Sequence, residues 1–356
     1  MDESSELVVT VPSIRVDFSP IEGSVERNAL QEAELKGIID NAQRLLRKAR
    51  SEATWTAYQS DWRQFEAYCE TYKLPALPTT TNTLISFLSK QAADGLAPST
   101  IKRRLISIRV VHKGSGYPPP DDEPAVNELM KGIRRDAQRV PKKKKAALPD
   151  DITRMANMVT EQTRKGLRDR ALLLFGFAGA FRRSELVAIE IDHLAFADEG
   201  VRVTLPSSKT DQESQGQVVA IPAEPTSPHC PVQALKDWIT VSEITSGAVF
   251  LRMHKGDAIG QSQMTPQSVA LVVKDHAERA GLEPAHYAGH SLRRGFLTSA
   301  AQERKNLFKM AEHSRHRSLE TVREYVEDAA RFDDHAGKGL LSTETSQERV
   351  DPDEPI

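Results

Sequence analysis

The chain has 356 residues, of which 39% are hydrophobic and 28% charged, a composition typical of a globular protein with two domains. Its longest apolar run, residues 171–181, is far shorter than the roughly 20 residues that span a bilayer. Two cysteines, Cys69 and Cys230, argue against a disulfide or zinc framework. The acidic first residues do not resemble a signal peptide, so we expect a cytoplasmic protein that does not contact membranes.

The formal net charge of −2 conceals an uneven distribution along the chain. Residues 1–27 and 327–356 together hold 15 acidic and five basic side chains. Residues 28–326 therefore hold 35 acidic and 43 basic ones, a net charge of +8. A basic body between acidic ends is typical of a protein that binds a polyanion. It is equally typical of a mixed solvated surface between two disordered tails.

Five helices are predicted in the first third of the chain, after a proline-containing and disordered stretch at residues 1–27. Apolar residues recur there at helical spacing, near residues 28–50, 52–72, 81–94, 100–113 and 123–135. Ser51 is the predicted cap of the second helix. The aromatic residues of that helix step by three or four positions, and we interpret them as a core stripe: Trp55, Tyr58, Trp62, Phe65 and Tyr68.

Three consecutive basic residues, Lys102, Arg103 and Arg104, follow a predicted helix cap at Ser99 or Thr100. Positive charge near a helix N-terminus is unfavourable for the helix dipole, which indicates another purpose for these side chains. Contact with phosphates or with the major groove of DNA is our interpretation. A solvated helix face is the alternative.

A lysine-rich segment divides the chain in two. Pro141 and four successive lysines preclude a packed element there. We interpret the segment as a basic linker whose lysines neutralise phosphates, whereas a solvated tether or a localisation signal is the alternative. The lysines are Lys142, Lys143, Lys144 and Lys145.

The second half of the chain is predicted to combine helices with a small hairpin. An almost wholly apolar helix spans about residues 167–179, and alternating residues at 201–205 and 217–221 predict a hairpin with Lys209 in its loop. Thr265 caps a further helix that exposes Gln267, whose amide could contact adenine or only solvent. The predicted fold is mainly α, with an N-terminal helical domain and an α+β second domain.

Several cationic side chains stand in distinctive settings. Arg182 directly follows the apolar helix, where a guanidinium needs a partner; Glu185 or a bound phosphate would each satisfy it. His290 and Arg293 are three residues apart, so on a helix they share one face. His313 and His316 suggest a metal, but no carboxylate or thiolate at ligand spacing completes a zinc set, so we predict none.

Tyr325 follows His316 by nine residues, on a segment of helical composition. The phenol of tyrosine has a pKa of about 10 and is protonated at neutral pH. It can attack an electrophile only if cations stabilise the developing charge and another group accepts its proton. The cationic residues upstream are candidates for both tasks.

Taken together, the ordered motifs resemble one protein family. Residues 180–186 (Ala-Phe-Arg-Arg-Ser-Glu-Leu), 208–210 (Ser-Lys-Thr) and 289–293 (Gly-His-Ser-Leu-Arg), followed by His316 and Tyr325, are similar to the motifs of tyrosine recombinases, the phage integrase family. The similarity covers about residues 40–340 and is greatest to the simple two-domain members. It implies that the two domains form a C-shaped clamp around DNA.

The resemblance also implies a site and a reaction. The catalytic residues it assigns are Arg182, Lys209, His290, Arg293, His316 and Tyr325, with Glu185 orienting Arg182 or His290. The reaction cuts and rejoins DNA through a 3′-phosphotyrosyl bond and a Holliday junction, without metal, ATP or another cofactor. The implied partners are double-stranded DNA with inverted-repeat sites and further copies of the chain in a homotetramer, on the nucleoid in the cytoplasm.

The domain limits that follow are expectations. They are a disordered acidic N-terminus at 1–27, a helical core-binding domain at 28–137, a basic linker at 138–148, a catalytic domain at 149–330 and a C-terminal segment at 331–356. In the last segment Phe332, Leu340 and Leu341 could form a helix that docks on a neighbouring subunit or packs on its own domain.

Two departures from the family pattern stand near the predicted site. Ala180-Phe181 precede Arg182 where Gly-Leu is common, and Ser314-Arg315 precede His316 where Leu-Gly is common. The second departure makes the setting of His316 unusual. A type IB topoisomerase, which relaxes DNA as a monomer, and a non-catalytic DNA-binding protein on the same scaffold are the alternative functions. A telomere-resolving relative is a further alternative.

Overall fold

The computed structural model describes residues 29–121, 123–137, 144–159, 163–205, 216–330 and residue 337. The chain divides into two compact units between Lys142 and Lys143, inside the segment predicted as the linker. The predicted acidic ends lie outside the described residues, except for residue 337 and the last residues of the final helix. Within the described ranges no helix is long and apolar enough to cross a membrane.

The first unit contains five α-helices in its described part, at the positions that the helical spacing predicts. They are α1 (Ala29–Lys48), α2 (Glu52–Tyr72), α3 (Thr81–Ala93), α4 (Pro98–Gly114) and α5 (Pro124–Asp136). Ser51 caps α2 by accepting a hydrogen bond from the Thr54 N–H at 3.3 Å. The prediction of a helical N-terminal domain is confirmed.

Helix α2 supplies much of the core of the first unit. Trp62 and Phe65 are almost fully buried, and Phe65 packs edge to face on Phe87 of α3 with ring centroids 5.1 Å apart. Ile108 of α4 is fully buried in the same cluster. The interpretation of the aromatic stripe as core is confirmed for Tyr58, Trp62 and Phe65, whereas Trp55 and Tyr68 are only partly buried.

Helix α4 begins before its predicted cap. Ala97 is the N-cap residue and Pro98 takes the first helical position, where the fixed φ of proline suits a helix and its missing N–H costs nothing. The prediction that Ser99 or Thr100 caps this helix is wrong, because both residues lie inside its first turn. The basic run that starts at Lys102 consequently lies in the second turn.

The second unit combines helices with two small antiparallel sheets. Its described α-helices are α6 (Pro149–Asn157), α7 (Arg164–Ala178), α8 (Arg183–Val187), α9 (Pro231–Ser242), α10 (Pro266–Arg279), α11 (Gly289–Gln302), α12 (Leu307–Ser314) and α13 (Leu319–Ala330). The helical and α+β characters predicted for the two domains are confirmed. The clamp around DNA stays a prediction.

Strands β1 (Leu194–Ala197), β2 (Gly200–Leu205) and β3 (Gln217–Pro222) form one sheet in that order, with Leu205 opposite Gln217. Strands β4 (Leu251–Met253) and β5 (Ile259–Gln263) form the other. The β2–β3 hairpin was predicted by its alternation, whereas β1, β4 and β5 were not predicted.

Helix α7 lies at the centre of the core of the second unit. Leu172, Leu173 and Phe175 are fully buried. Trp238 of α9 is also fully buried, and its indole N–H donates to the Val249 carbonyl at 2.8 Å. Burying a tryptophan without loss requires such an acceptor for its N–H.

The end of the lysine-rich segment packs on α11. Residues 144–148 form no helix or strand, as predicted, but Ala147 is fully buried and its N–H donates to the Ser291 carbonyl at 3.0 Å. A Cβ atom on Gly295 would lie only 1.8 Å from the Ala147 carbonyl oxygen. The contact fixes the helix that carries His290 and Arg293, so this end of the segment is docked on the domain.

Helices α12 and α13 complete the second unit beside α11. Leu297, Met310 and Val322, one from each helix, are buried together in a small cluster. Tyr325 of α13 packs against the edge of this cluster and is half-buried. The cluster thereby holds the helix of the predicted nucleophile against the helix of Arg293.

Candidate active site

Arg182 stands at the junction of α7 and α8, where it is the N-cap residue of α8. Its backbone N–H donates to Glu185 Oε2 at 2.9 Å, and its guanidinium donates to Glu185 Oε1. A second guanidinium nitrogen donates to the Arg315 carbonyl at 3.2 Å. The structure therefore contains the predicted contact between Arg182 and Glu185. It also shows that the carbonyl of Arg315 binds the same guanidinium.

Arg293 extends from α11 toward the same junction and is only 6% exposed. Its guanidinium donates to the Ala180 carbonyl at 2.8 Å, and a second nitrogen lies 3.2 Å from His316 Nδ1. Burial and the charges of Arg182 and Arg315 lower the pKa of Arg293 to about 9. This pKa still leaves the side chain positively charged at neutral pH.

His316 follows α12 and faces Arg293. The Ser314 hydroxyl donates to the Met310 carbonyl at 2.6 Å and lies 2.7 Å from His316 Nδ1. That hydroxyl donates its one proton to Met310, so its contact with His316 is satisfied when Nδ1 carries the ring proton; Nε2, 3.3 Å from the Arg293 guanidinium, is then the nitrogen that accepts. Burial and the positive charges of Arg293, Arg182 and Arg315 lower the pKa of His316 to about 4, so the ring is neutral at neutral pH.

His290 lies in the first turn of α11, three residues before Arg293. Partial burial of the ring and the charges of Arg183, Arg293 and Arg182 lower its pKa below the usual value for histidine. A neutral imidazole can accept a proton. The positive charges of these arginines therefore act on the ring of His290.

Tyr325 is carried by α13, which packs on α11. A negative charge on its phenol would raise the pKa of Arg293, which places the two side chains within electrostatic reach of one another. The packing of α13 on α11 thus brings together the two helices that carry Tyr325 and Arg293, although these residues are 32 positions apart in sequence.

A cavity of about 320 Å³ opens at His316. The residues that line it include Arg315, Arg317, and Gln217 and Val218 of β3. Lys209 lies outside the described residues; Gln217, the first residue of β3, lines this cavity. Among the described side chains, no three His, Cys, Asp or Glu groups come together as a metal site.

Two family models match the sequence. The first, described as the phage integrase family, covers residues 147–331, and the second, described as the phage integrase N-terminal SAM-like domain, covers residues 43–115. The first match spans more than half of the chain and contains all the site residues above. The chain belongs to the phage integrase family. It is accordingly a tyrosine recombinase, a site-specific DNA recombinase.

Individual relatives and solved structures agree with this membership. An integrase/recombinase xerD homolog from Selenomonas ruminantium is 36% identical over 83% of this recombinase and 87% of the relative. Recombinase cre from Escherichia phage P1 is 23% identical over 72% and 78%. The XerH recombinase bound to its difH substrate matches with a TM-score of 0.59 at 16% identity, over 91% and 94% of the two chains, which shows a common fold.

Sequence reasoning missed the role of Arg315 in this recombinase. Its side chain is 2% exposed and forms an ion pair with Glu185 Oε2 at 2.9 Å. The signal was present, because Ser314-Arg315 and Ala180-Phe181 were both recognised as departures from the family pattern. In the structure these departures touch: Arg315 donates to the Ala180 carbonyl at 3.0 Å and lies 5.1 Å from the centre of the Phe181 ring.

The ring of His313 is engaged by residues other than Arg293. Its Nε2 lies 2.8 Å from the Ala178 carbonyl, and its ring stacks on Phe296 with centroids 4.6 Å apart. His316, in contrast, contacts Arg293. The geometry favours the choice of His316 over His313 as the histidine of the site.

The predicted DNA-contact residues of the first unit are in different environments. Lys102 is exposed. Arg103 donates twice to the buried carboxylate of Asp61, at 2.7 and 2.9 Å, and remains 48% exposed. Arg104 lies 3.7 Å from the same carboxylate and is largely buried. Part of this basic run thus serves the fold of its own unit.

The other predicted DNA contacts belong to the second unit or to the linker. Gln267 is exposed in the first turn of α10. Lys144 donates to the Ala285 carbonyl at 2.6 Å, and Lys145 lies 3.6 Å from Asp151. Lys142 and Lys143 lie outside the described residues.

Proposed function

We propose that this recombinase breaks DNA by attack of Tyr325 on a phosphodiester held by Arg182 and Arg293. One observation carries the proposal: three largely buried guanidinium groups lie close together with a single carboxylate, that of Glu185. Arg182 and Arg315 form ion pairs with Glu185, whereas Arg293 donates to the Ala180 carbonyl that Arg315 also contacts. Within this described group the charge is +2. Uncompensated buried charge is costly, and a phosphodiester is an anion that offsets the excess.

The reaction is a transfer of the phosphoryl group from one oxygen to another. The Tyr325 oxygen forms a bond to phosphorus as the bond to the 5′ oxygen breaks, which leaves a 3′-phosphotyrosyl link and a 5′-hydroxyl. Arg182 and Arg293 bind the non-bridging oxygens, where negative charge develops in the transition state. Glu185 holds Arg182 in place through the two hydrogen bonds described above.

Two protons have to move in this step. His290 accepts the phenolic proton, which the neutral state favoured by its lowered pKa allows. Lys209 donates a proton to the departing 5′ oxygen. Before this step His316 takes up a proton from solvent at Nε2 as the phosphate binds, and it then donates that N–H to a phosphate oxygen. Rejoining reverses the sequence, with a 5′-hydroxyl of a second duplex as the attacking group.

The DNA partner is a duplex with an inverted-repeat site, and the active assembly is a homotetramer on two such sites that passes through a Holliday junction. The support is membership of the family and the exposed basic side chain of Lys102 in the first unit. Two structural relatives are described as DNA complexes, XerH with difH and a lambda integrase dimer with a COC′ core site. The proposed domains are a core-binding domain at 28–137, a basic linker at 138–148 and a catalytic domain at 149–330.

A selection experiment tests the proposal and finds the target. The protein is incubated with nicked duplexes that carry random inverted repeats, denatured with detergent, and the DNA that stays attached is sequenced. We expect adducts that converge on one inverted repeat and that disappear in Tyr325→Phe. Adducts without sequence preference would indicate a topoisomerase, and specific binding without adducts would contradict the catalytic proposal.

A further inference from the structure

The guanidinium of Arg315 points into the protein. Its two terminal nitrogens donate to the carbonyls of Gly179, Ala180 and His313 at 3.1, 3.0 and 2.6 Å and to Glu185 Oε2 at 2.9 Å. The side chain is 2% exposed. With both nitrogens engaged and the group buried, Arg315 does not offer them to a DNA phosphate.

The contacts of Arg315 converge on the residues that hold Arg182. Glu185 Oε2 accepts from the Arg315 side chain and from the Arg182 backbone N–H, both at 2.9 Å, while Oε1 accepts from the Arg182 guanidinium. The backbone carbonyl of Arg315 accepts from the other end of that guanidinium at 3.2 Å. Arg182 is therefore fixed on two sides, and Arg315 takes part on both.

Arg315 also shares an acceptor with Arg293. The Ala180 carbonyl accepts from Arg293 at 2.8 Å and from Arg315 at 3.0 Å. Both Ala180 and Arg315 have left-handed backbones, with φ of +44° and +57°, a conformation that residues other than glycine adopt at a cost in energy. The backbone at both positions is thus held in the conformation that lets these contacts form.

From these contacts we infer that Arg315 is a positioning residue, which sets the direction of the Arg182 guanidinium through Glu185 and aligns it with Arg293. This role rests on the proposed function, because the aligned pair is the phosphate clamp. The positive charge of Arg315 also helps to keep the buried Glu185 ionised, since burial alone would raise the pKa of that carboxyl and Arg315 is the foremost group that lowers it.

The test is Arg315→Gly, which suits φ of +57° and keeps the backbone carbonyl that binds Arg182. The matched control is Arg304→Gly, because Arg304 has φ of +52° but is exposed and lies outside the site. Single-turnover formation of the covalent adduct and DNA affinity are measured on the full chain with the selected site. Cooperative unfolding of each variant verifies that it folds.

We expect adduct formation to fall by about 10- to 100-fold in Arg315→Gly, the range typical of a residue that orients another functional group. DNA affinity should stay within about threefold, because the clamp contributes to the transition state more than to ground-state binding. Arg315→Lys, which keeps the charge but cannot bridge four acceptors, should show the same defect if the glycine variant does not fold. The control should match the wild type.

A double-mutant cycle separates positioning from a general packing role. If Arg315 acts through Glu185, the substitution Arg315→Gly costs much less in the Glu185→Gln background than in the wild type. Equal costs in both backgrounds, or an unchanged rate in Arg315→Gly, would overturn the positioning role while the Tyr325 adduct of the wild type stands. Absence of any adduct in the wild type would overturn the proposed function and this role together.

Discussion

At the scale of single residues, the site is defined by an excess of buried positive charge. Arg293 is buried among other guanidinium groups, which together with burial lower its pKa to about 9. Glu185 contacts two of those groups, Arg182 and Arg315. The excess positive charge is unfavourable in the free protein. A bound phosphate offsets it, so the folded site favours an anion.

Replacement of Arg182 by lysine tests the clamp. An ammonium retains the charge but cannot contact Glu185 and the Arg315 carbonyl in the planar geometry of a guanidinium. We expect Arg182→Lys to lower the rate of adduct formation by about 10²- to 10³-fold, as loss of one transition-state hydrogen-bond donor does, with little change in thermal unfolding. A rate close to wild type would contradict the role of this guanidinium.

The pKa of His316 gives a prediction that requires no catalysis. Free protein labelled with ¹⁵N at histidine should show this ring neutral through pH 5, with titration near its pKa of about 4. The groups that surround it are Arg293, Arg182, Arg315 and Glu185. Binding of DNA that carries the site should raise this pKa, because a phosphate offsets the neighbouring charges. A normal pKa in the free protein would contradict the described burial.

The lowered pKa of His316 also sets the sign of its effect on stability. The folded-state pKa lies below that of the unfolded chain, so as the pH falls from about 6.5 toward 4 the unfolded state takes up a proton that the folded state does not. His316 therefore destabilises the free protein progressively over this range. It contributes nothing above that range, where both states are neutral.

At the scale of elements, periodic segments were predictable and short ones were not. Helices α2 and α7 have long apolar patterns and clear ends, and the β2–β3 hairpin alternates. Strands β4 and β5 are three and five residues long, and they form by pairing with each other. No local pattern of that length distinguishes a strand from a loop.

Local sequence patterns also limit what can be predicted of the site. The order of the catalytic motifs could be identified from sequence, as could the contact between Arg182 and Glu185, which are three residues apart. The ion pair between Arg315 and Glu185 joins residues 130 positions apart, so only the folded chain reveals it. The charges of Arg103 and Arg104 similarly looked free for DNA until Asp61, about 40 residues earlier, proved to lie beside them.

The packing of the linker end on α11 gives a prediction for stability. In Gly295→Ala the new methyl group would overlap the Ala147 carbonyl, so we expect a loss of about 1–3 kcal/mol in the free energy of unfolding, as in other overpacked sites. The control is Gly132→Ala in α5, where no atom lies within 4 Å of the new Cβ and stability should not fall. Urea unfolding of both variants measures the difference, and equal stabilities would contradict the close packing.

At the scale of the whole molecule, charge is segregated along the chain. The ends are acidic and residues 28–326 carry a net +8, so the overall charge of −2 understates the attraction to DNA. Association should therefore depend steeply on salt, because each neutralised phosphate releases counterions. This separation of acidic ends from a basic middle is not visible in the isoelectric point of the chain.

Lys102→Ala tests one contribution to that attraction. We expect weaker binding to all DNA sequences and a decrease of about 1 in the slope of log affinity against log salt concentration, as for a single phosphate contact. Lys131→Ala is the control, because Lys131 is paired with Glu128 at 2.6 Å on an exposed face. Fluorescence anisotropy over a salt series measures both slopes, and equal slopes would show that Lys102 contacts no phosphate.

The chemical identity of the protein–DNA link decides whether Tyr325 is the nucleophile. A suicide duplex with the selected site and a nick beside the scissile phosphate traps the intermediate, which is digested and sequenced by mass spectrometry. We expect a peptide with a 3′-phosphonucleotide on Tyr325, and no adduct in Tyr325→Phe. A link to another residue, or an adduct that survives this substitution, would contradict the central claim.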